Sequence, residues 1–299
     1  MACPTCGATQ NVHGDCLVCD APFGAPRART VYVRPALATR EPETDVAAAA
    51  VAALAARRPA RAVEAHLAGL PASYLRRHAP EAIDRHLALI KRAAGGTAIE
   101  HARTCGIDRI TVVTMDRSGL LELLAGTLTV RCVSIAAATA YTRADGVVID
   151  VIDVLPHHAA AGDEAYWREV CDDLARALAG ARATVQAVVG GDRARAHAPA
   201  RPPAPTTVYV HNVAAERFSK VEVNATDRPG LLYAITRAMR EQALNVHLAE
   251  VETVGALAVD TFYVVDGAGQ RLEDPAAIAR LRERVLDNVT ALAGALAAT

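Results

Sequence analysis

The sequence predicts an α+β protein built from two βαββαβ units with antiparallel sheets, a helical segment and a small N-terminal metal-binding unit. Three observations support this. The stretch Arg109–Leu121 recurs 111 positions later as Lys220–Leu232, and both copies read as an alternating strand, a sharp turn and an amphipathic helix. Four cysteines near the N-terminus form two C-x2-C pairs. The Ala-rich stretch between these features favours helices.

Composition limits the range of functions. A chain of 299 residues has room for about two or three domains. The 32 basic and 33 acidic residues give a net charge of −1, which argues against nucleic acid or an anionic membrane as a general partner. No apolar run approaches the roughly 20 residues of a membrane span, and the N-terminus has no signal-peptide pattern. A cytoplasmic location is expected.

The N-terminal unit, residues 1–30, is predicted to be a zinc ribbon. Nine residues separate its two C-x2-C pairs, and two such pairs can complete a tetrahedral site. A site with four protein ligands has no open position, so the Zn²⁺ would be structural. The alternatives are a redox dithiol or a chance cluster of cysteines, and His13 could replace one ligand, although the all-cysteine set is simpler. Protein is favoured over nucleic acid as a docking partner, because basic residues here are few. The predicted ligands are Cys3, Cys6, Cys16 and Cys19.

The segment 31–106 reads as several short helices separated by prolines. His66, His78 and His86 lie in it, but their spacing does not place two of them on one helix face as metal ligands. Surface or helix-capping positions are expected for them. A Pro- and Ala-rich linker at 191–206 cannot build a core and should be extended.

The first repeat, residues 107–190, has the complete βαββαβ pattern. Leu120, Leu124 and Leu128 mark one helix face, and Asp145–Gly146 is a strong hairpin signal between the second and third strands. The predicted elements are strand 110–115, turn 116–119, a helix from 120, strands 134–142 and 147–155, helix 164–179 and strand 183–189.

The second repeat, residues 207–299, has no strand after its last helix. The alternating segment Thr207–Asn212 before it is predicted to take the place of the missing fourth strand. Each repeat should form a ferredoxin-like unit with both helices on one face of its sheet. The other predicted elements are strand 220–225, turn 227–230, a helix from 231, strands 245–253 and 256–265, and a helix from 274.

The turn Asp227–Leu232, followed by Leu244-Asn245-Val246, resembles the ACT domain, a small module that binds amino acids and similar effectors. The tandem pair is similar to the C-terminal tail of bacterial PII uridylyltransferase/uridylyl-removing enzymes, over residues from about 60 onward. Tyr141–Gly146, Asp150-Val151 and Val259–Asp266 match that tail, and Leu70–Leu75 and Ile83–Leu89 resemble the stretch that precedes the tandem domains in those enzymes. The nucleotidyltransferase and His-Asp hydrolase motifs of those enzymes do not occur in this sequence. The resemblance therefore implies a regulatory chain and not an enzyme.

By this resemblance, a ligand lies between the turn and the start of the following strand of a neighbouring domain. Unpaired N–H groups at the helix start would bind its carboxylate, and Asp116 and Asp227 its ammonium group. The first repeat has Ser118 in place of proline and Ser134 in place of Asn245, which favours the second repeat as the fuller site. Alternatively, both aspartates simply cap helices. The predicted ligand-binding residues are Asp116, Arg117, Ser118, Gly119, Leu120, Ser134, Asp227, Arg228, Pro229, Gly230, Leu231, Asn245 and Val246.

Three functions stay open at this point. The first is a non-catalytic sensor of a small amino acid, with glutamine as the first ligand to test, linked to nitrogen or amino-acid metabolism. The second is an adaptor or transcription-linked regulator whose zinc ribbon binds a protein and whose ACT pair serves assembly. The third is a uridylyltransferase-type enzyme component, against which the missing carboxylate motifs argue. The sequence leaves open whether the repeats pair within one chain or between the chains of a homodimer.

Overall fold

A computed structural model of the chain describes residues 43–55, 57–104, 106–156, 163–180, 204–212 and 217–297. The chain divides into two compact units, Met1–Val46 and Ala47–Thr299. Of the first unit, only residues 43–46 are described, as the first turn of a helix. The predicted zinc ribbon, the predicted strand 183–189 and most of the linker at 191–206 lie outside the described residues.

The eight strands form one sheet in which every neighbouring pair is antiparallel, in the order β1-β2-β4-β3-β7-β8-β6-β5. This confirms the α+β class with antiparallel sheets. The strands are β1 Ala98–Thr104, β2 Ile107–Met115, β3 Val133–Thr142, β4 Val147–Pro156, β5 Thr207–Asn212, β6 Ser219–Thr226, β7 Asn245–Val254 and β8 Leu257–Val265. The helices are α1 Glu43–Leu54, α2 Ala60–Ala68, α3 Ala72–Arg77, α4 Pro80–Ala93, α5 Leu120–Val130, α6 Glu164–Leu178, α7 Leu231–Glu241 and α8 Pro275–Ala297.

The outer edge of each half-sheet is a strand that precedes its repeat. In the second repeat this strand is β5, which pairs with β6 as the sequence predicted. In the first repeat it is β1, which pairs with β2 and lies in the segment 31–106, for which the sequence predicted helices. The sequence pattern missed β1 because only Ala98 and Ile99 begin it as an apolar pair, and charged residues follow.

The two half-sheets are joined by pairing of β3 with β7. Ala137 faces Glu252, Thr139 faces Glu250 and Tyr141 faces Leu248. Because the repeat offset of 111 carries Thr139 onto the position of Glu250, the pairing is symmetric about this central pair. The repeats are therefore related by a local two-fold axis within one chain.

Helices cover both faces of the sheet, and each layer has its own core. Residues of α5–α8 pack with inward side chains of both half-sheets, such as Ile110 and Phe262, in one large cluster. This confirms that the two helices of each repeat share one face. On the opposite face, α1–α4 pack against the first half-sheet around Tyr74 and Tyr141. No helix in the described ranges combines the length and apolar character that crossing a bilayer requires.

A buried polar network centres on Tyr74 of α3. Its hydroxyl lies 2.9 Å from Nε2 of His66 and 2.7 Å from Nδ1 of His86. The ring of His78 packs against the Tyr74 ring, with centroids 4.8 Å apart. All three histidines are buried, so the expected surface or capping positions were wrong. Burial lowers the pKa of His66 and His78 to about 4 and that of His86 to about 3, which keeps them neutral at physiological pH.

These lowered pKa values predict loss of stability in mild acid. An unfolded histidine takes up a proton as the pH falls through its usual pKa of 6.5, whereas the folded one stays neutral until about pH 4. The contribution of these histidines to the free energy of unfolding should therefore fall as the pH drops from about 6.5 to 4. We expect each histidine to account for a loss of about 1 kcal/mol between pH 7.5 and 5.5, measured by urea denaturation as the difference between wild type and a variant that lacks that histidine.

The variant His78→Phe isolates one of these contributions. Relative to wild type, it should gain about 1 kcal/mol of stability on going from pH 7.5 to pH 5.5. Leu75→Phe, at a partly buried residue of α3 that carries no titrating group, is the control and should show no such gain. An identical pH dependence in wild type and His78→Phe would contradict the neutral, buried state of His78.

Candidate functional site

The turn between the first strand and first helix has the same geometry in both repeats. Gly119 and Gly230 are the N-cap residues of α5 and α7, with φ angles of 74° and 83°. This left-handed backbone favours glycine. Because no side chain caps either helix, Asp116 and Asp227 do not occupy the capping position that the sequence left open for them. The second and third amides of each helix have no backbone partner in the described part of the chain.

We call the space beside the first turn the first hollow. It is enclosed by the turn and start of α5, by the end of α7, and by the start of β7. Strands β3 and β4 form its floor. Repeat 1 thus supplies the helix terminus and repeat 2 the facing strand. The predicted ligand residues that line it are Asp116, Arg117, Ser118, Gly119, Leu120, Asn245 and Val246.

The second hollow is the space that the local two-fold axis relates to the first hollow. It lies between the turn before α7 and the start of β3, with Thr129 of α5 beside it. The sequence favoured the second repeat because it has both the proline turn and Asn245, but the structure places these in different hollows. The first hollow combines the serine turn at Ser118 with Asn245, and the second combines the proline turn at Pro229 with Ser134. The predicted ligand residues along it are Ser134, Asp227, Arg228, Pro229, Gly230 and Leu231.

Side chains of the protein itself cover both glycines. A Cβ placed on Gly119 would lie 2.6 Å from Cδ of Arg240. Arg240 is paired with Glu122, whose Oε1 is 3.3 Å from its Nη2. A Cβ on Gly230 would lie 3.4 Å from methyl groups of Leu292 and Thr129. Each hollow has a volume of about 30 Å³, which suits a water molecule or two and not a whole amino acid.

The two arginines of the turns are in different environments. Nη1 of Arg117 donates a hydrogen bond of 2.7 Å to the carbonyl of Leu178 at the end of α6. Nε of Arg228 is buried and has no hydrogen-bond partner within the described residues. Burial lowers the pKa of Arg228, and Asp227 partly offsets this. The Asp227 carboxylate accepts hydrogen bonds from the Arg228 amide and from Thr253, while burial raises its pKa.

Two acidic residues that the sequence did not assign to the site line the hollows. Asp150 of β4 lines the first hollow and Asp260 of β8 the second. Asp150 pairs across the sheet with Val112, and Asp260 with Val223, which lies 111 positions after Val112. The two aspartates are therefore structural equivalents. Their recurrence was visible in the sequence, but strand parity placed them with the apolar core residues.

Both carboxyl groups are 1% exposed. Neither oxygen of Asp150 and only one oxygen of Asp260 has a hydrogen-bond partner in the described residues. Burial raises the pKa of each to about 8, with a smaller contribution from Asp116 beside Asp150 and from Asp227 beside Asp260. Both side chains therefore carry a proton at neutral pH.

Larger grooves lie elsewhere on the molecule. One of about 690 Å³ runs beside Arg271 and Asp274, and one of about 700 Å³ beside Phe218, His247 and Tyr263. None of the predicted ligand residues lines either groove. In the described ranges, no group of three or more His, Cys, Asp or Glu side chains is arranged to hold a metal ion. The four cysteines predicted to bind zinc lie outside these ranges.

No family model matches the chain. It is 33% identical over 189 residues to the bifunctional uridylyltransferase/uridylyl-removing enzyme of Gluconobacter oxydans. The aligned region covers 62% of this chain and 20% of the enzyme. The enzyme of the same name from Azospirillum brasilense is 31% identical over 242 residues, or 75% of this chain and 25% of the enzyme. The chain is similar to these enzymes. Among solved structures, aspartate kinase from Synechocystis aligns with a TM-score of 0.36 and 16% identity over 61% of this chain and 27% of that one.

The chain spans only a fifth to a quarter of the length of these relatives. The sequence similarity to uridylyltransferase/uridylyl-removing enzymes is therefore confirmed, and it is a similarity to one part of those enzymes. The ferredoxin-like arrangement of the repeats itself rests on the strand order and register described above.

The buried carboxyl groups predict an unusual pH dependence of stability. An unfolded aspartate loses its proton near its usual pKa of 3.8, whereas the folded Asp150 and Asp260 keep theirs up to about pH 8. The contribution of these two carboxyl groups to the free energy of unfolding therefore falls as the pH rises from about 4 to 8. Asp150→Asn and Asp260→Asn should each be more stable than wild type by about 1–3 kcal/mol at pH 7, and similar to it near pH 4, in urea denaturation.

Asp172→Asn is the matched control, because Asp172 is exposed on α6. It should show no pH-dependent gain. If Asp150→Asn and wild type kept the same stability difference from pH 4 to pH 7, Asp150 would not be protonated in the folded protein.

Proposed function

We propose that this protein is a non-catalytic regulatory protein that binds a small amino acid between its two repeats, with glutamine as the first ligand to test. A link to nitrogen or amino-acid metabolism is part of this proposal, and the similarity to uridylyltransferase/uridylyl-removing enzymes supports it. A catalytic role has no support in the sequence, because the paired-carboxylate and His-Asp motifs of nucleotidyl transfer and hydrolysis do not occur in it.

One observation carries this proposal. Each helix terminus with unpaired amides faces the strand start of the other repeat, across a hollow that also contains a buried acidic side chain. The helix end favours a carboxylate through its N–H groups and its dipole. The acidic residues favour an ammonium group. An α-amino acid presents these two charges within one small molecule.

The first hollow is the better candidate, because its cover is polar and movable. Arg240 lies over Gly119 and is held by the carboxylate of Glu122 in the first turn of α5. A ligand carboxylate can replace Glu122 as the partner of Arg240 at the same helix end. At the second hollow the corresponding cover is aliphatic, from Leu292 and Thr129. Opening it would expose apolar surface to water.

A second function has its own supporting observation. Both glycines are covered and both hollows are small, as they would be in a unit used only for assembly. In that case, the ACT-like pair would hold the chain together while the zinc ribbon proposed for residues 1–30 binds a protein partner. A structural Zn²⁺ held by four cysteines would fold that ribbon.

A panel of the twenty amino acids separates the two functions. If the protein is a sensor, one of them, with glutamine first, should stabilise it by about 2.7 kcal/mol at 100 times its Kd. Thermal unfolding gives this shift, and calorimetry gives the affinity. Asn245→Ala should weaken binding about tenfold or more, because Asn245 lies in the first hollow.

Ser134→Ala is the matched control, since Ser134 has the same place in the second hollow. It should leave this affinity within about twofold. If no amino acid shifts the melting temperature at millimolar concentration, the sensing function is wrong and the assembly function is left.

The zinc ribbon makes a separate prediction. Purified protein should contain one zinc per chain by mass spectrometry of the metal. Cys6→Ser and Cys19→Ser should lose it, because three thiolates do not complete the tetrahedral site. Cys171→Ser, at a half-buried free cysteine of α6, should keep it. Full zinc content in the first two variants would rule out the proposed ligand set.

A further inference from the structure

Asp150 is the most isolated acidic group in the described part of the molecule. Its side chain is 1% exposed, and neither carboxylate oxygen has a hydrogen-bond partner there. A buried polar group without a partner destabilises a fold, so the presence of this one calls for an explanation. Its twin Asp260 is less isolated, because one of its oxygens accepts a hydrogen bond from the backbone of Glu252.

The position of Asp150 indicates a use for this unsatisfied group. It lies on the floor of the first hollow, beneath the covered helix terminus of α5. The charged groups around the hollow are Asp116 at the end of β2, Arg117 in the turn, Glu122 on α5 and Arg240 on α7. Arg240 is paired with Glu122, and Arg117 donates to a main-chain carbonyl of α6, so neither cation satisfies Asp150.

We propose that Asp150 binds the ammonium group of the amino acid in the first hollow. This inference rests on the proposed function and specifies which end of the ligand the floor of the site recognises. An ammonium group brings three N–H donors and a positive charge to two carboxyl oxygens that have no hydrogen-bond donor or cation beside them in the described residues. The ligand carboxylate then lies toward the α5 amides and Arg240, so the two ends of the zwitterion meet opposite charges.

Binding by Asp150 also moves a proton. In the free protein, burial and the nearby Asp116 raise the pKa of Asp150 to about 8, so its carboxyl is protonated at pH 7. An ammonium group in contact with it stabilises the ionised form. The proton leaves the carboxyl for the buffer as the ligand enters, and no other bond changes. Affinity should therefore rise about tenfold for each pH unit between pH 6 and 7.

Calorimetry on the full chain tests this with L-glutamine, or with whichever amino acid of the panel binds. Titrations at pH 7 in phosphate and in Tris, which differ in their heat of ionisation, should give close to one proton released per ligand. The analogue that lacks the amine, glutaramic acid for glutamine, should bind wild type about 10- to 100-fold more weakly. Asp150→Asn should weaken glutamine to a similar degree, leave glutaramic acid unchanged and release no proton.

Asp260→Asn is the matched control, since it makes the same buried change in the equivalent strand of the other repeat. It should bind glutamine as wild type does and still release one proton. Binding of glutamine by Asp150→Asn with wild-type affinity, or binding by wild type without proton release, would overturn the role of Asp150 and leave the proposed function intact. Absence of any bound amino acid would instead overturn the proposed function itself. The proton measurement on wild type holds even if Asp150→Asn folds poorly.

Discussion

The pairing of β3 with β7 is the contact on which the rest of the structure depends. Without it, each half-sheet would end in an open edge with unpaired N–H and C=O groups. The pairing satisfies both edges and is symmetric about Thr139 and Glu250. It also brings the helix terminus of each repeat against the strand start of the other, since both lie next to the joined strands. Both hollows are consequences of this one interface.

The two hollows are bounded by turns of the same backbone conformation but are covered by different side chains. Gly119 and Gly230 have nearly the same left-handed conformation. Arg240 covers the first glycine, whereas its equivalent at the second is Thr129, supplemented by Leu292 from the long α8. A charged cover held by one ion pair can exchange that pair for a ligand, while an aliphatic cover opens only by exposing apolar surface. The duplication thus provides one site suited to a zwitterion and one that resembles a packed core.

The sequence by itself determined the repeats and their elements. The spacing of apolar residues in Arg109–Leu121 and Lys220–Leu232 identified the strands, turns and helices, because strand and helix periodicities differ locally. The residues predicted from the two glycine turns and the facing strand starts line the hollows, because a glycine turn before a helix has a local signature, whereas Asp150 and Asp260, which also line them, were not among those predicted. The edge role of Thr207–Asn212 was predictable from its alternation and from the missing last strand.

Only the tertiary structure decided which residues share a site and which groups are buried without partners. Asn245 faces the turn of the other repeat because β3 pairs with β7, a contact between distant segments that no local pattern encodes. Asp150 is one of two aspartates in an otherwise apolar strand, and its isolation depends on what packs above it. The same holds for Tyr74 and His86, whose burial follows from the docking of α3 and α4 on the outer face of the sheet. Local sequence determines the elements, whereas burial and partners are set by how those elements meet.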